Sequence, residues 1–199
     1  MIVGLDGADA LLLTLVGRAG GGGWLAVPDA AMSGASAEEL LQRVGRVPLP
    51  GYIRGGVEQP GDRDRYQTVF ARESGSAAAP TAGLHFDEPL LESLTSRGIG
   101  RARVTLHVGL DTFRPISVDR LDDHPMHTEW CHCPAETVAA ITATRAAGGR
   151  VVAVGTTAAR TLESAARSGV LAAWNGPTDL FIRPGHRFRA VDCLLTNFH

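Results

Sequence analysis

Lysine is absent from this sequence: all 19 positively charged residues among its 199 are arginine. No side chain can therefore form a lysine Schiff base or supply the lysine that anchors phosphate in a P-loop. Cysteine is scarce. Cys131, Cys133 and Cys193 are too few for a disulfide framework in a chain of this length. No stretch approaches the ~20 apolar residues that span a bilayer. The short Leu11-Leu12-Leu13 run lacks the basic flank of a secretory signal. These absences lead to the expectation of a reduced, cytoplasmic protein without a membrane partner. Neither sign of charge dominates. With a formal net charge of -2, no global field draws the molecule onto nucleic acid, and any RNA contact must come from a local patch.

What is present is ample apolar material, 44% of residues, enough for one large domain or two small ones. Ala10 to Val16 and Trp24 to Val27 read as strands around a four-glycine turn. Ser36 followed by Glu39 has capping-box spacing and predicts a helix to Val44. Asp87 as a cap, with Pro89 in the first turn, predicts a helix that Gly98 ends. The alternation over Arg101 to Val108 predicts a strand. Pro134 to Ala147 predicts a helix, Val151 to Val154 a strand and Thr157 to Arg167 a helix; Leu180 to Ile182 and Arg189 to Leu194 read as further short strands. Strands alternating with helices imply an α/β fold with a mixed, partly parallel sheet flanked by helices. In this reading residues 1–46 are a reduced, β-rich N-terminal region, and residues 47–199 are the α/β core.

Four segments could carry chemistry. In Val154-Gly155-Thr156-Thr157 a strand enters a turn and then a helix, whose free N–H groups suit a carboxylate, phosphate or ribose hydroxyl. The plainer reading is that Thr156 caps the helix. The His124 to Cys133 run holds residue types that bind zinc, but Cys131 and Cys133 are one residue apart and no second pair follows. His127 and Glu129, two apart on a strand, would share a face and could serve as a proton acceptor and its orienter. His107 sits in Thr105-Leu106-His107-Val108-Gly109, where spacing alone assigns it no role. Finally, Ala79-Pro80-Thr81-Ala82-Gly83-Leu84-His85-Phe86 places one titratable ring among small residues. It reads equally as a tight turn or as a cradle that lets a ligand approach the backbone.

Taken in order, these runs resemble the S-adenosylmethionine:tRNA ribosyltransferase-isomerases of queuosine synthesis. The resemblance runs through Pro48 to Ile53, Tyr66 to Ala71, Ala79 to Phe86, Thr105 to Gly109, Thr112-Phe113, His124 to Glu129, Val154 to Thr157, Arg160 to Ser164, Leu180 to Gly185 and Thr196 to His199. It covers the chain from about residue 47 onward. Members of that family are longer at both ends, and Gly51 stands where they tend to have a second proline.

The resemblance implies a transferase that consumes S-adenosylmethionine as ribosyl donor and needs no separate cofactor and no metal. Its acceptor would be tRNA carrying 7-aminomethyl-7-deazaguanine, and its products epoxyqueuosine-tRNA, adenine and methionine. Such chemistry needs a base beside the sulfonium and an acid for adenine departure. His85, His107, His127 and Glu129 are the candidates for proton transfer. Thr81, Ala82, Gly83, Gly155, Thr156 and Thr157 are candidates for holding substrate. Arg101, Arg103, Arg183, Arg187 and Arg189 are candidate tRNA contacts, each readable equally as part of a solvated face. The rival readings are a shortened, non-catalytic paralogue that binds nucleotide or tRNA, and a metal-dependent hydrolase built on the His124 to Cys133 run.

Overall fold

A computed structural model describes residues 2–5, 11–19, 23–28, 34–109, 118–120, 126 and 128–197. Thr112, Phe113, His124, His127, Phe198 and His199 lie outside the described residues. The chain divides into two compact units, Met1–Asp62 and Arg63–His199.

In the first unit, β1 (Ile2–Leu5), β2 (Leu11–Arg18) and β3 (Trp24–Pro28) form an antiparallel sheet in that order. A register shift between Leu15 and Gly17 marks a bulge in β2. The Arg18 guanidinium lies 3.7 Å above the Trp24 ring. Helix α1 (Ala37–Val44) begins with the capping box its sequence predicts: Ser36 accepts from the Glu39 N–H and Glu39 accepts from the Ser36 N–H. The short helix α2 (Asp62–Arg65) stands at the division between the units.

The second unit holds α3 (Glu88–Ser96), capped by Asp87 with Pro89 in its first turn, and α4 (Ala135–Ala146). Strands β4 (Thr105–His107), β5 (Glu129–Cys133) and β7 (Trp174–Thr178) form an antiparallel sheet in the order β4-β5-β7. Strands β6 (Val152–Val154) and β8 (Cys193–Leu195) pair in parallel. This pair is the parallel component expected of the mixed α/β fold. Between β6 and β7 runs α5 (Thr156–Ala165), which packs against β4, β5, β6 and β7. The core gathers Cys133, Ile141, Val151, Ala153, Ala159, Leu162, Ala165 and Val191 around this helix.

Helix α5 is buried at every position from Ala159 to Ala165, although Arg160, Thr161, Glu163 and Ser164 are polar. Each of these finds a partner, as buried polar groups must. Thr161 donates to the Thr157 carbonyl, and Ser164 donates to the Arg160 carbonyl. Arg160 pairs with Glu129, and Glu163 accepts from the backbone N–H groups of Arg189, Ala190 and Val191. Small side chains let strands approach the helix, and the polar ones tie those strands to it.

Three expected strands differ. Only Thr105–His107 of the 101–108 run is strand. Leu180 to Ile182 is not a strand, because the Leu180 carbonyl accepts from the Arg160 Nε instead of a ladder partner. Arg189 to Val191 is likewise withheld from a ladder by Glu163, so β8 starts only at Cys193. Strands β1 and β7 are not among the expected ones, and β7 contains a proline, Pro177. The proline fits because β7 is an edge strand, where its missing N–H costs no ladder bond on the open side. Among the described residues no helix is long and apolar enough to cross a membrane.

Candidate functional site

Residues 79–86 fold as a short 3-10 turn, Thr81–His85, and two neighbours fix it. A β-carbon at Gly83 would come within 2.9 Å of the Phe70 ring and 3.2 Å of the Thr68 methyl, so the absence of a side chain lets the turn pack on residues 68–70. Phe70 and Phe86 meet edge to face at 5.7 Å. Ala82 is buried, and its Cβ lies 3.8 Å from where a β-carbon on Gly155 would stand. The turn therefore abuts the start of α5.

Gly155 is the N-cap of α5, with φ 90° and ψ 148°, a conformation suited to glycine. No side chain caps this helix, so Thr156 does not take the capping role that its position allows. A helix start of this kind presents backbone N–H groups and the positive end of the helix dipole. The Gly155 N–H donates to the Leu195 carbonyl at 2.8 Å, which sets the end of β8 beside the same point. Two residues on, Asn197 Oδ1 lies 2.9 Å from His85 Nε2. With that oxygen accepting, Nε2 carries the proton and Nδ1 of a neutral ring keeps its lone pair. Three segments distant in sequence, 81–85, 155–157 and 195–197, thus converge on one exposed imidazole.

The other candidates lie differently. The His107 ring sits against Gly75, whose β-carbon would stand 2.7 Å from His107 Nδ1, and it pairs across the sheet with Trp130. Ser76 fastens the 74–79 segment to β4, donating to the Leu106 carbonyl and accepting from the Val108 N–H. Glu129 is buried, with one oxygen held by Arg160 and the other accepting from the Gly109 N–H at 3.3 Å. Arg160 also donates to the carbonyls of Leu180 at 2.9 Å and Thr178 at 3.2 Å. Burial pushes its guanidinium pKa down, and Glu129 opposes that shift. The pair joins β5, α5 and the segment after β7.

Arg101 and Arg103 are exposed just ahead of β4, and Arg183 and Arg187 are exposed on the segment after β7. Arg189 donates to the carbonyls of Ala166 and Arg167 at the end of α5, so it also serves as a C-terminal cap. A cavity of about 350 Å³ beside it is framed by Glu163, Arg167, His186, Arg187 and Arg189; none of these belongs to the convergence at His85.

The zinc reading meets a geometric obstacle. Along β5, Cys131 and Cys133 point into the core while His132 points out, so these ligand types do not face one point. Among the described residues no group of three His, Cys, Asp or Glu side chains is placed to hold a metal ion. Burial raises the Cys131 thiol pKa and pushes Cys133 up to about 11. The thiolate is the reactive form and appears only as pH nears that value. At pH 8, iodoacetamide is accordingly expected to modify the half-buried Cys193 and spare Cys131 and Cys133 in the folded protein, read by peptide mass.

The family model described as "Queuosine biosynthesis protein" matches residues 13–199. The chain belongs to this queuosine biosynthesis family. A relative from Azoarcus sp. (strain BH72), named S-adenosylmethionine:tRNA ribosyltransferase-isomerase, is 55% identical over 194 residues, covering 96% of this chain and 54% of the relative. One of the same name from Trichlorobacter lovleyi is 60% identical over 163 residues, 81% of this chain and 48% of the relative. The chain therefore spans about half the length of the curated relatives it matches. A crystal structure titled S-adenosylmethionine tRNA ribosyltransferase, from Thermotoga maritima, is 44% identical, with a TM-score of 0.47 over 59% of this chain and 36% of that one.

Within this family's shared runs, sequence reasoning passed over Asn197, Arg160 and Glu163. Asn197 belongs to the Thr196 to His199 run, and Arg160 and Glu163 to the Arg160 to Ser164 run. The available signal was three polar residues inside matched segments. Their partners lie far along the chain, so spacing could not supply them.

Proposed function

We propose that this chain takes part in ribosyl transfer and isomerisation from S-adenosylmethionine to 7-aminomethyl-7-deazaguanine in tRNA, giving epoxyqueuosine-tRNA, adenine and methionine. The observation that carries the reading is the meeting of the 81–85 turn, the uncapped start of α5 and Asn197 around His85. Membership in the family and the names of the relatives support it.

In this reading the Thr81-Ala82-Gly83 backbone and the Gly155, Thr156 and Thr157 helix start hold polar groups of the donor. The methionine carboxylate or a ribose hydroxyl matches the helix-start amides. His85 Nδ1, oriented through the Asn197 contact at Nε2, is the proton acceptor for the carbon acidified by the sulfonium. His107 and His127 remain candidates for the complementary acid that assists adenine departure. Glu129, with both oxygens engaged, is assigned a positioning role through Arg160 in place of proton transfer. Residues 47–199 are proposed as the α/β core of the enzyme type, and Arg101, Arg103, Arg183, Arg187 and Arg189 as tRNA phosphate contacts. S-adenosylmethionine is a consumed substrate in this scheme, and the cytoplasm, where tRNA is modified, is the proposed compartment.

The test is His85→Ala, made at the matching position of the Azoarcus relative and assayed for tRNA-dependent adenine release. A general base contributes about 10²–10⁴-fold, so a loss of at least about a hundredfold in kcat is expected. Turnover within a few-fold of the parent contradicts the role.

A further inference from the structure

Among the described residues, α5 covers one face of the β4-β5-β7 sheet, and the other face carries exposed side chains on β5 and β7. Helix α5 packs against all three strands, and Cys131 and Cys133 point into the core cluster beside it. Register fixes the other face. Thr105 lies opposite His132 and His107 opposite Trp130, while His132 lies opposite Asn175 and Trp130 opposite Pro177. Directly paired residues in a sheet share a face, so these six side chains form one surface.

Its chemistry is distinctive. Trp130 occupies mid-strand and is 51% exposed, in a place where burying an indole would be favourable. Its Nε1 donates to Asn175 Oδ1 on β7 at 3.0 Å. That bond ties the indole to the neighbouring strand while half of the residue stays exposed. His132 is exposed beside it and His107 half-buried. None of the six is a carboxylate, and none is a large aliphatic residue of the kind that seats a partner helix. Arg101 and Arg103 are exposed on the chain entering β4, and the backbone there is anchored by Thr137, which donates to the Arg103 carbonyl at 2.6 Å. Aromatic rings on an exposed sheet face beside exposed guanidinium groups suit unpaired bases, which stack on rings while their phosphates meet arginine.

We infer that this face is a stacking surface for unpaired nucleotides of tRNA, with Trp130 as the principal ring and Arg101 and Arg103 as backbone contacts. The inference rests on the proposal that tRNA is a substrate, and adds where on the molecule a loop of that RNA is held.

The test uses the whole 199-residue chain and a synthetic RNA hairpin with an unpaired loop, with a blunt duplex of the same stem as control. Trp130→Ala is expected to weaken hairpin binding about tenfold, the order found for one lost base-stacking contact, and to leave duplex binding unchanged. Trp130→Phe keeps a stacking ring and should restore most of the affinity. Trp24→Ala, an exposed tryptophan in the other unit, should have no effect. Circular dichroism verifies folding of each variant. The inference is overturned by hairpin affinity unchanged in Trp130→Ala, by equal losses on hairpin and duplex, by failure of Trp130→Phe to rescue, or by a parent chain that does not bind the hairpin. A Trp130→Ala effect confined to self-association, read by sedimentation, would assign the face to a second copy and likewise overturn it. Titration with S-adenosylmethionine separates the two readings: hairpin binding through Trp130 without donor binding sinks the transferase proposal and leaves the surface standing.

Discussion

Replacing Arg160 by Met is expected to lower the unfolding free energy of the Arg63–His199 unit by about 3–5 kcal/mol, the range for removing one partner of a buried ion pair. Methionine keeps much of the stem volume and removes the charge, so the loss isolates the polar contacts. The change strands the buried Glu129 carboxylate without its cation and removes the guanidinium donors from the carbonyls of Thr178 and Leu180. A surface ion pair would give a far smaller effect, and the comparison is at hand in Arg167 with Asp179. Those two side chains are 67% and 60% exposed, and breaking that pair should leave the unfolding midpoint almost unchanged. Urea unfolding of the two variants checks the contrast. Similar midpoints for both would mean that the Glu129 pair does not hold β5, α5 and the segment after β7 together.

The second large effect is expected at Gly155. Alanine there must adopt φ near 90°, at a cost of about 1–3 kcal/mol in strain. Its β-carbon would also stand 3.3 Å from Thr157 Oγ1 and 3.8 Å from the Ala82 β-carbon. The added methyl thus enters the seam between the 81–85 turn and the start of α5. Relief of the strain requires the helix start to turn away from Leu195, whose carbonyl accepts the Gly155 N–H. Affinity for S-adenosylmethionine should fall at least about tenfold, read by calorimetry. Gly148→Ala serves as the control: φ is 74° there too, but nothing lies within 4 Å of its β-carbon position, so strain arises without intrusion on the site. Equal donor affinities for the two variants would show that the seam at Gly155 does not shape a binding surface.

Local signals in this sequence were read well where they act locally. The Ser36 and Asp87 caps and the β6-to-α5 turn all depend on residues within a few positions of one another. The failures share a different cause. Side chains distant in sequence claimed backbone groups that would otherwise have joined a ladder. Glu163 takes the N–H groups of 189–191, and Arg160 takes the carbonyl of 180. Helix α5 is expected from Thr157 onward and is present, but the sequence pattern does not show which of its faces are buried. Its buried residues include arginine, glutamate, threonine and serine, so no apolar stripe marks its packed faces. At the candidate site, His85 and the Gly155 turn were legible as separate motifs. Their meeting, and the Asn197 carbonyl that orients His85, exist only after the chain folds.

Hydrogen–deuterium exchange of the 199-residue protein with and without S-adenosylmethionine tests the central claim most directly. If the 81–85 turn, the start of α5 and the end of β8 form the donor site, saturating ligand should slow exchange in peptides covering 81–86, 155–158 and 194–197 together. Exchange unchanged in all three, or protection confined to the 183–189 segment beside the arginine-lined cavity, would contradict it.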